Sequence, residues 1–149
     1  MKIIAQNRKA HFNYFIEYKL EAGVVLKGSE VRSLRNKGTA NISDSYAGVD
    51  KGEVFLYNSH IASYAQASYQ SHEPTRVRKL LLHRGEIKKV IGKVKEKGYT
   101  IVPISLYFNR KNIVKIEIGV AKGKNTVDKR QKIKERDIER EQRAILKRK

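Results

Sequence analysis

Apolar patterning runs through most of this chain and then stops. Short β-branched and aromatic runs recur as far as Gly119-Val120-Ala121. From Lys122-Gly123-Lys124-Asn125-Thr126-Val127-Asp128-Lys129-Arg130 onward the residues are almost all polar or charged. Core-building is therefore confined to residues 1–122, and residues 123–149 are expected to form a basic tail. Within the first part the apolar runs are short and joined by tight turns, without steady strand–helix–strand alternation. That arrangement favours an antiparallel barrel with added helices over a parallel sheet.

Local signals fill in the elements. Met1 to His11 is polar and basic and reads as a loose arm. Tyr14 to Leu20 and Val24-Val25-Leu26 read as two strands, with Glu21-Ala22-Gly23 as a bend or bulge between them. Ser29 reads as the N-cap of a short helix through Glu30, Val31, Leu34 and Arg35, ended by Gly38. Asp44 to Val49 and Glu53 to Tyr57 flank Asp50-Lys51-Gly52, a hairpin with a three-residue turn. Ile61 to Tyr69 fits no single pattern, and Ser71 to Pro74 reads as a loop. Ile87, Val90, Ile91 and Val94 share one helical face, predicting a helix over Lys88 to Lys97. Tyr99 to Phe108 reads as a strand at an edge, or bulged, at Pro103. Ile113 to Ile118 alternates and closes the domain. The total is about six short strands and two or three helices.

The formal net charge is +18. Residues 121–149 carry 12 basic and 5 acidic side chains, a net +7, which leaves +11 on the rest. Both parts are basic, and such a charge points to a polyanionic partner. No apolar run approaches the roughly 18 residues of a membrane span. Cysteine is absent, which excludes disulfides and thiolate metal sites and is compatible with a reducing cytoplasm.

Motifs for catalysis are lacking. His11, His60, His72 and His83 are scattered and read as isolated structural or surface histidines. No phosphate-cradling glycine loop or nucleophile elbow occurs, and no metal or cofactor is expected. The carboxylate pairs Glu135/Glu139 and Asp137/Glu141 fit a solvated face. In Thr75-Arg76-Val77-Arg78-Lys79-Leu80-Leu81-Leu82-His83 the cations suit phosphate contacts; the leucines serve the core, or one stands out to wedge against an unpaired base. Lys122, Lys124, Lys129 and Arg130 suit a flexible basic joint, or a solubilising tail.

Several segments read together carry a resemblance. They are Asn7-Arg8-Lys9-Ala10, Tyr14-Phe15-Ile16, Glu21-Ala22-Gly23, Gly28 to Arg35, Asp44-Ser45-Tyr46, Arg78-Lys79-Leu80-Leu81-Leu82, Lys122-Gly123-Lys124 and Asp128-Lys129-Arg130. In this order and spacing the chain resembles the SsrA-binding (small protein B) family of bacterial trans-translation, over nearly its whole length. The resemblance implies a mainly β, OB-like antiparallel barrel with flanking helices. It implies binding to the tRNA-like part of tmRNA, which lacks an anticodon arm, and delivery of that RNA to stalled ribosomes. The shared RNA implies alanyl-tRNA synthetase and elongation factor Tu as indirect partners of a cytoplasmic monomer.

Carried over by position, the tmRNA-facing set is Asn7, Tyr14, Glu21, Gly23, Arg78, Lys79 and Leu81. Glu21 suits a base edge, because a carboxylate repels phosphate. The tail set is Lys122, Gly123, Lys124, Asp128, Lys129, Arg130, Lys132, Lys134 and Ile138, reaching into the decoding region and the empty mRNA path. The chain departs from the family at Asn125, where lysine is common, at Val127, where histidine or tyrosine is frequent, and at Ile138, where some members have tryptophan. A constitutive ribosomal protein and a ribonuclease with a His/Lys site are the competing readings of the residues alone.

Overall fold

The computed structural model describes residues 2–36, 38–63 and 72–124. The basic stretch from Asn125 to Lys149, and part of the ambiguous Ile61 to Tyr69 segment, lie outside them.

The strands are β1 (Lys2–Gln6), β2 (Tyr14–Val24), β3 (Ala40–Asn41), β4 (Tyr46–Asp50), β5 (Glu53–Tyr57), β6 (His60–Ile61), β7 (Arg78–Leu81), β8 (Tyr99–Phe108) and β9 (Val114–Gly123). The helices are α1 (Ala10–Asn13), α2 (Gly28–Arg35) and α3 (Arg84–Val94). Antiparallel pairing runs β8-β4-β5-β7-β2-β9, and β9 returns to β8, so six strands close a ring. The expected mainly β antiparallel barrel is present. β1 lies outside the ring on β8, and β3 pairs with β6 in a two-stranded sheet of its own.

Alternation packs the interior. Val114, Ile116, Ile118 and Val120 of β9 meet Ile101, Leu106 and Phe108 of β8, Val54 and Leu56 of β5, and Leu80 of β7, all buried. Two bulges let long strands serve both faces of the wall. In β2 the register shifts between Ile16 and Tyr18. Ile16 therefore shares the outer face of Ala121, while Tyr18 joins the interior with Val120. In β8 the shift falls between Pro103 and Ser105. Pro103 is thus at a bulge, as expected, and not at an edge. The outer cluster of Ala10, Val102 and Ala121, with Tyr14 and Ile16 against it, seats α1 on the barrel wall.

Several boundaries differ from the sequence reading. The N-terminal segment is no loose arm: β1 pairs with β8, and the Asn7 backbone N–H donates to Ile104 at 2.7 Å. Glu21-Ala22-Gly23 is no bend; β2 is continuous through Val24. The hairpin turn has two residues, Lys51 and Gly52, with φ of 51° and 77°, since Asp50 pairs with Glu53. Both positive φ values match a type I′ turn, whose twist suits the flanking strands. Lys27, not Ser29, is the N-cap of α2. α3 starts at Arg84, where Glu86 accepts from the His83 backbone N–H at 3.0 Å. β9 runs on to Gly123, and the Lys124 N–H donates to Asn13 at 2.9 Å.

Candidate nucleic-acid interface

β2 crosses the wall with β9 on one side and, at its C-terminal end, β7 on the other. Beyond its bulge, Lys19 and Glu21 face outward, and Glu17 at the bulge is exposed. Gly23 pairs with Leu81, and a Cβ on Gly23 would lie 3.2 Å from that of Leu81. The missing side chain leaves room for Leu81, which stands 52% exposed. Glu21, Gly23 and Leu81, with Leu82, His83, Glu86 and Lys115, line an open cleft of about 300 Å3.

Glu21 is held from behind. Tyr107 of β8 reaches along the outer face and donates its hydroxyl to the Glu21 carboxylate. Burial and that hydrogen bond raise the phenol pKa, so Tyr107 stays a neutral donor. The carboxylate is oriented toward the cleft by a partner it cannot lose by titration near neutrality. Such preorganisation reduces the ordering cost of binding. In so basic a protein, an anchored carboxylate beside an exposed leucine suits the donor edge of a base, with the leucine against its ring. Tyr107 and Lys115 were missed in the sequence. Their signal was period-2 alternation: Tyr107 pairs with Lys115 on β9, and both share the outer face with Glu21.

The expected RNA-facing residues fall into three places. Glu21, Gly23 and Leu81 come together in the cleft. Tyr14 lies at the other end of β2, about 23 Å away at 3.3 Å per residue, opposite Gly123. Lys122 is exposed there, and Lys124 sits over Phe15 at 4.7 Å and donates to the His11 carbonyl at 3.0 Å. Asn7 is buried beneath this end, donating to Pro103 at 2.9 Å, with its side-chain oxygen unpartnered among the described residues. Lys79 faces outward and pairs with Glu53 at 2.9 Å.

Arg78 is a correction. It shares the inward face of β7 with Leu80 and is 0% exposed. Its guanidinium pairs with buried Glu30 of α2 and donates to the Ser59 hydroxyl and carbonyl and to Pro74 and Arg76. It has no free face for phosphate. Glu30 also accepts from Arg76 and, at 2.8 Å, from the Lys27 backbone N–H. Burial works to raise the Glu30 pKa, but these hydrogen bonds and the Arg78 charge outweigh it and hold the carboxyl below its ordinary range. Burial lowers the Arg78 pKa against the opposing pull of Glu30.

Among the described residues, no His, Cys, Asp and Glu group could hold a metal ion, and no helix is long and apolar enough to cross a membrane. Asp128, Lys129, Arg130, Lys132, Lys134 and Ile138 lie outside the described residues.

Comparison with known proteins covers nearly the whole chain. The family of SmpB proteins matches residues 4–148. The chain belongs to the SmpB family. It is 60% identical over 148 residues to the SsrA-binding protein of Rickettsia canadensis, spanning 99% of this chain and 97% of that one. The SsrA-binding protein of Rickettsia conorii is 59% identical over the same shares. A solved structure described as "tmRNA-SmpB: a journey to the center of the bacterial ribosome" contains a chain of 44% identity. It superposes with a TM-score of 0.66 over 81% of this chain and 84% of that one. The resemblance carried by the ordered motifs is thus a family relationship, and the six-stranded ring is a family barrel.

Proposed function

We propose that this SmpB-family chain is an RNA-binding adaptor, not an enzyme. It binds the tRNA-like part of tmRNA and delivers it to stalled ribosomes for trans-translation. The observation that carries the reading is the Glu21–Leu81 cleft: a carboxylate oriented by Tyr107, beside an exposed leucine, in a +18 protein of this family. Surface cations supply affinity for the RNA backbone, while Glu21 supplies selectivity. Tyr14, Lys122 and Lys124 make a second contact at the far end of β2, and Lys79 a phosphate contact beside the cleft. Asn7 braces that far end, and Arg78 is not among the contacts.

The stretch from Asp128, with Lys129, Arg130, Lys132, Lys134 and Ile138, has too little apolar content to add to the barrel. It suits ribosomal RNA in the decoding region and the empty mRNA path, ordering as a helix only there. The ordering cost of about 1–2 kcal/mol per backbone residue must be met by those contacts. The protein acts as a cytoplasmic monomer without a cofactor. It meets alanyl-tRNA synthetase and elongation factor Tu through the shared RNA.

The test compares wild type and Glu21→Ala on tmRNA and on a generic RNA duplex. Loss of a charged hydrogen bond predicts a tmRNA affinity roughly tenfold or more lower, with duplex binding nearly unchanged. Equal losses on both RNAs would make Glu21 a structural residue only.

A further inference from the structure

Away from the cleft, the outer face of the β4–β5 hairpin carries an aromatic pair with no role in the core. Tyr46 and Tyr57 are cross-strand partners with rings stacked at 5.3 Å and 17° between planes. Tyr46 is nevertheless 56% exposed. One ring face lies on Tyr57, and the other meets solvent. The platform is set by its neighbour: Tyr57 lies over Gly48, where a Cβ would come within 3.2 Å of the ring. The stack is thus formed before any ligand arrives.

A second open cleft adjoins this end of the hairpin. Its volume is about 510 Å3, and Asn41, Asp44, Asn58, His60 and two threonines, Thr39 and Thr75, line it with Ala40. Asp44 precedes Tyr46 by two residues, and Asn58 follows Tyr57 directly. The Asn58 side chain donates to the Asp44 carbonyl at 3.3 Å, which ties the two strand ends together. Among the described residues, no lysine or arginine lines the cleft. The Asp44 carboxylate in its wall disfavours a phosphate there. Amide, carboxylate, hydroxyl and imidazole groups beside a free aromatic face match a nucleobase: the ring stacks, and the mixed donors and acceptors meet its edge.

We propose that Tyr46, stacked on Tyr57 at the hairpin end next to the Asp44–Asn58 cleft, binds one unpaired base of the RNA that occupies the Glu21–Leu81 cleft. The inference rests on the RNA-binding reading above. Continuity selects the same RNA as the source. β4, β5 and β7 are adjacent, and their outer faces form one surface. Counting strand spacings and residue rises from Leu81 puts Tyr46 about 16 Å away. A single-stranded segment leaving the first cleft covers that distance within a few nucleotides.

The experiment uses the full chain as wild type, Tyr46→Ala, Tyr46→Leu and Tyr46→Phe. The probes are tmRNA and a single-stranded oligoribonucleotide carrying 2-aminopurine. Leucine keeps an apolar contact on Tyr57 but lacks the ring, so it serves even if alanine loosens the hairpin. Wild type and Tyr46→Phe are expected to quench the 2-aminopurine, and the alanine and leucine variants are not. Their tmRNA affinity is expected to fall between about fivefold and a hundredfold, as loss of one base–aromatic stack does. Because no phosphate contact is removed, the slope of log affinity against log salt stays unchanged. Unaltered quenching and tmRNA affinity in both ring-less variants would overturn the proposal, as would a loss seen only on ribosome binding. Glu21→Ala separates the two readings. If it loses tmRNA while Tyr46→Ala does not, the adaptor reading stands and this one fails. If Glu21→Ala loses both RNAs equally while the quenching persists, Glu21 is a structural residue only and the Tyr46 site stands.

Discussion

Arg78 and Lys79 are adjacent cations with opposite environments. Arg78 has its side chain 0% exposed and saturated by Glu30, Ser59, Pro74 and Arg76, whereas Lys79 stands on the outer face. Arg78→Ala leaves the buried Glu30 carboxylate with Arg76 as its remaining ion-pair partner and opens a cavity in the core, and should cost about 3–5 kcal/mol. Arg78→Lys should recover little of it, because an ammonium cannot reproduce the forked pattern of donors. Lys79→Ala should leave the melting temperature within a degree or two. It should weaken RNA binding across sequences and reduce the salt slope by about one. Thermal melts with salt titrations of binding separate the pair. At the cleft, Tyr107→Phe removes only the hydroxyl that orients Glu21. Its tmRNA affinity should fall less than that of Glu21→Ala, with generic duplex binding unchanged.

At the scale of elements, α2 is held to β7 and the loop before it by polar groups. Ser29 bonds His72 at 3.0 Å, Ser33 donates to Ala62 at 2.7 Å, and Glu30 joins Arg76 and Arg78. Folding lowers the Glu30 pKa, so it favours the ionised form. The stabilisation is complete above the ordinary glutamate value of about 4.3 and is lost as pH falls below it, through the lowered folded value. Wild type should therefore lose melting temperature steeply below about pH 4.3. Glu30→Gln should melt lower at neutral pH and show a flatter acid limb; parallel curves would contradict this assignment. These polar anchors explain what the sequence left hidden. β2, β4, β5, β8, β9 and the α3 face were legible because apolar periodicity writes them, whereas the short β3, β6 and β7 were not read as strands. Arg78 was misread because Arg76-Val77-Arg78-Lys79 looks like a phosphate patch, although period-2 alternation with Leu80 places Arg78 inside. β1 was missed because Lys2 to Gln6 is ordered by backbone pairing to β8, which composition does not record. Of the cleft, Glu21, Gly23 and Leu81 were legible through the family motifs. Tyr107 was not, since a contact between residues 21 and 107 exists only once β9 lies between their strands.

For the whole molecule the account divides labour between a barrel that selects tmRNA and a basic stretch that serves the ribosome. Contact with roughly six phosphates predicts an affinity loss of about a thousandfold between 50 and 200 mM salt. The structure also moves the cut beyond Lys122: β9 continues to Gly123, and Lys124, the last described residue, bonds Asn13 and His11, so the barrel's contacts extend at least to Lys124. The most direct measurement pairs tmRNA affinity with tagging of the stalled peptide for the chain ended after Lys124. The account predicts an unchanged melting temperature, most of the tmRNA affinity retained, and tagging abolished. Full tagging by the shortened chain, or tmRNA affinity lost together with tagging, would contradict it.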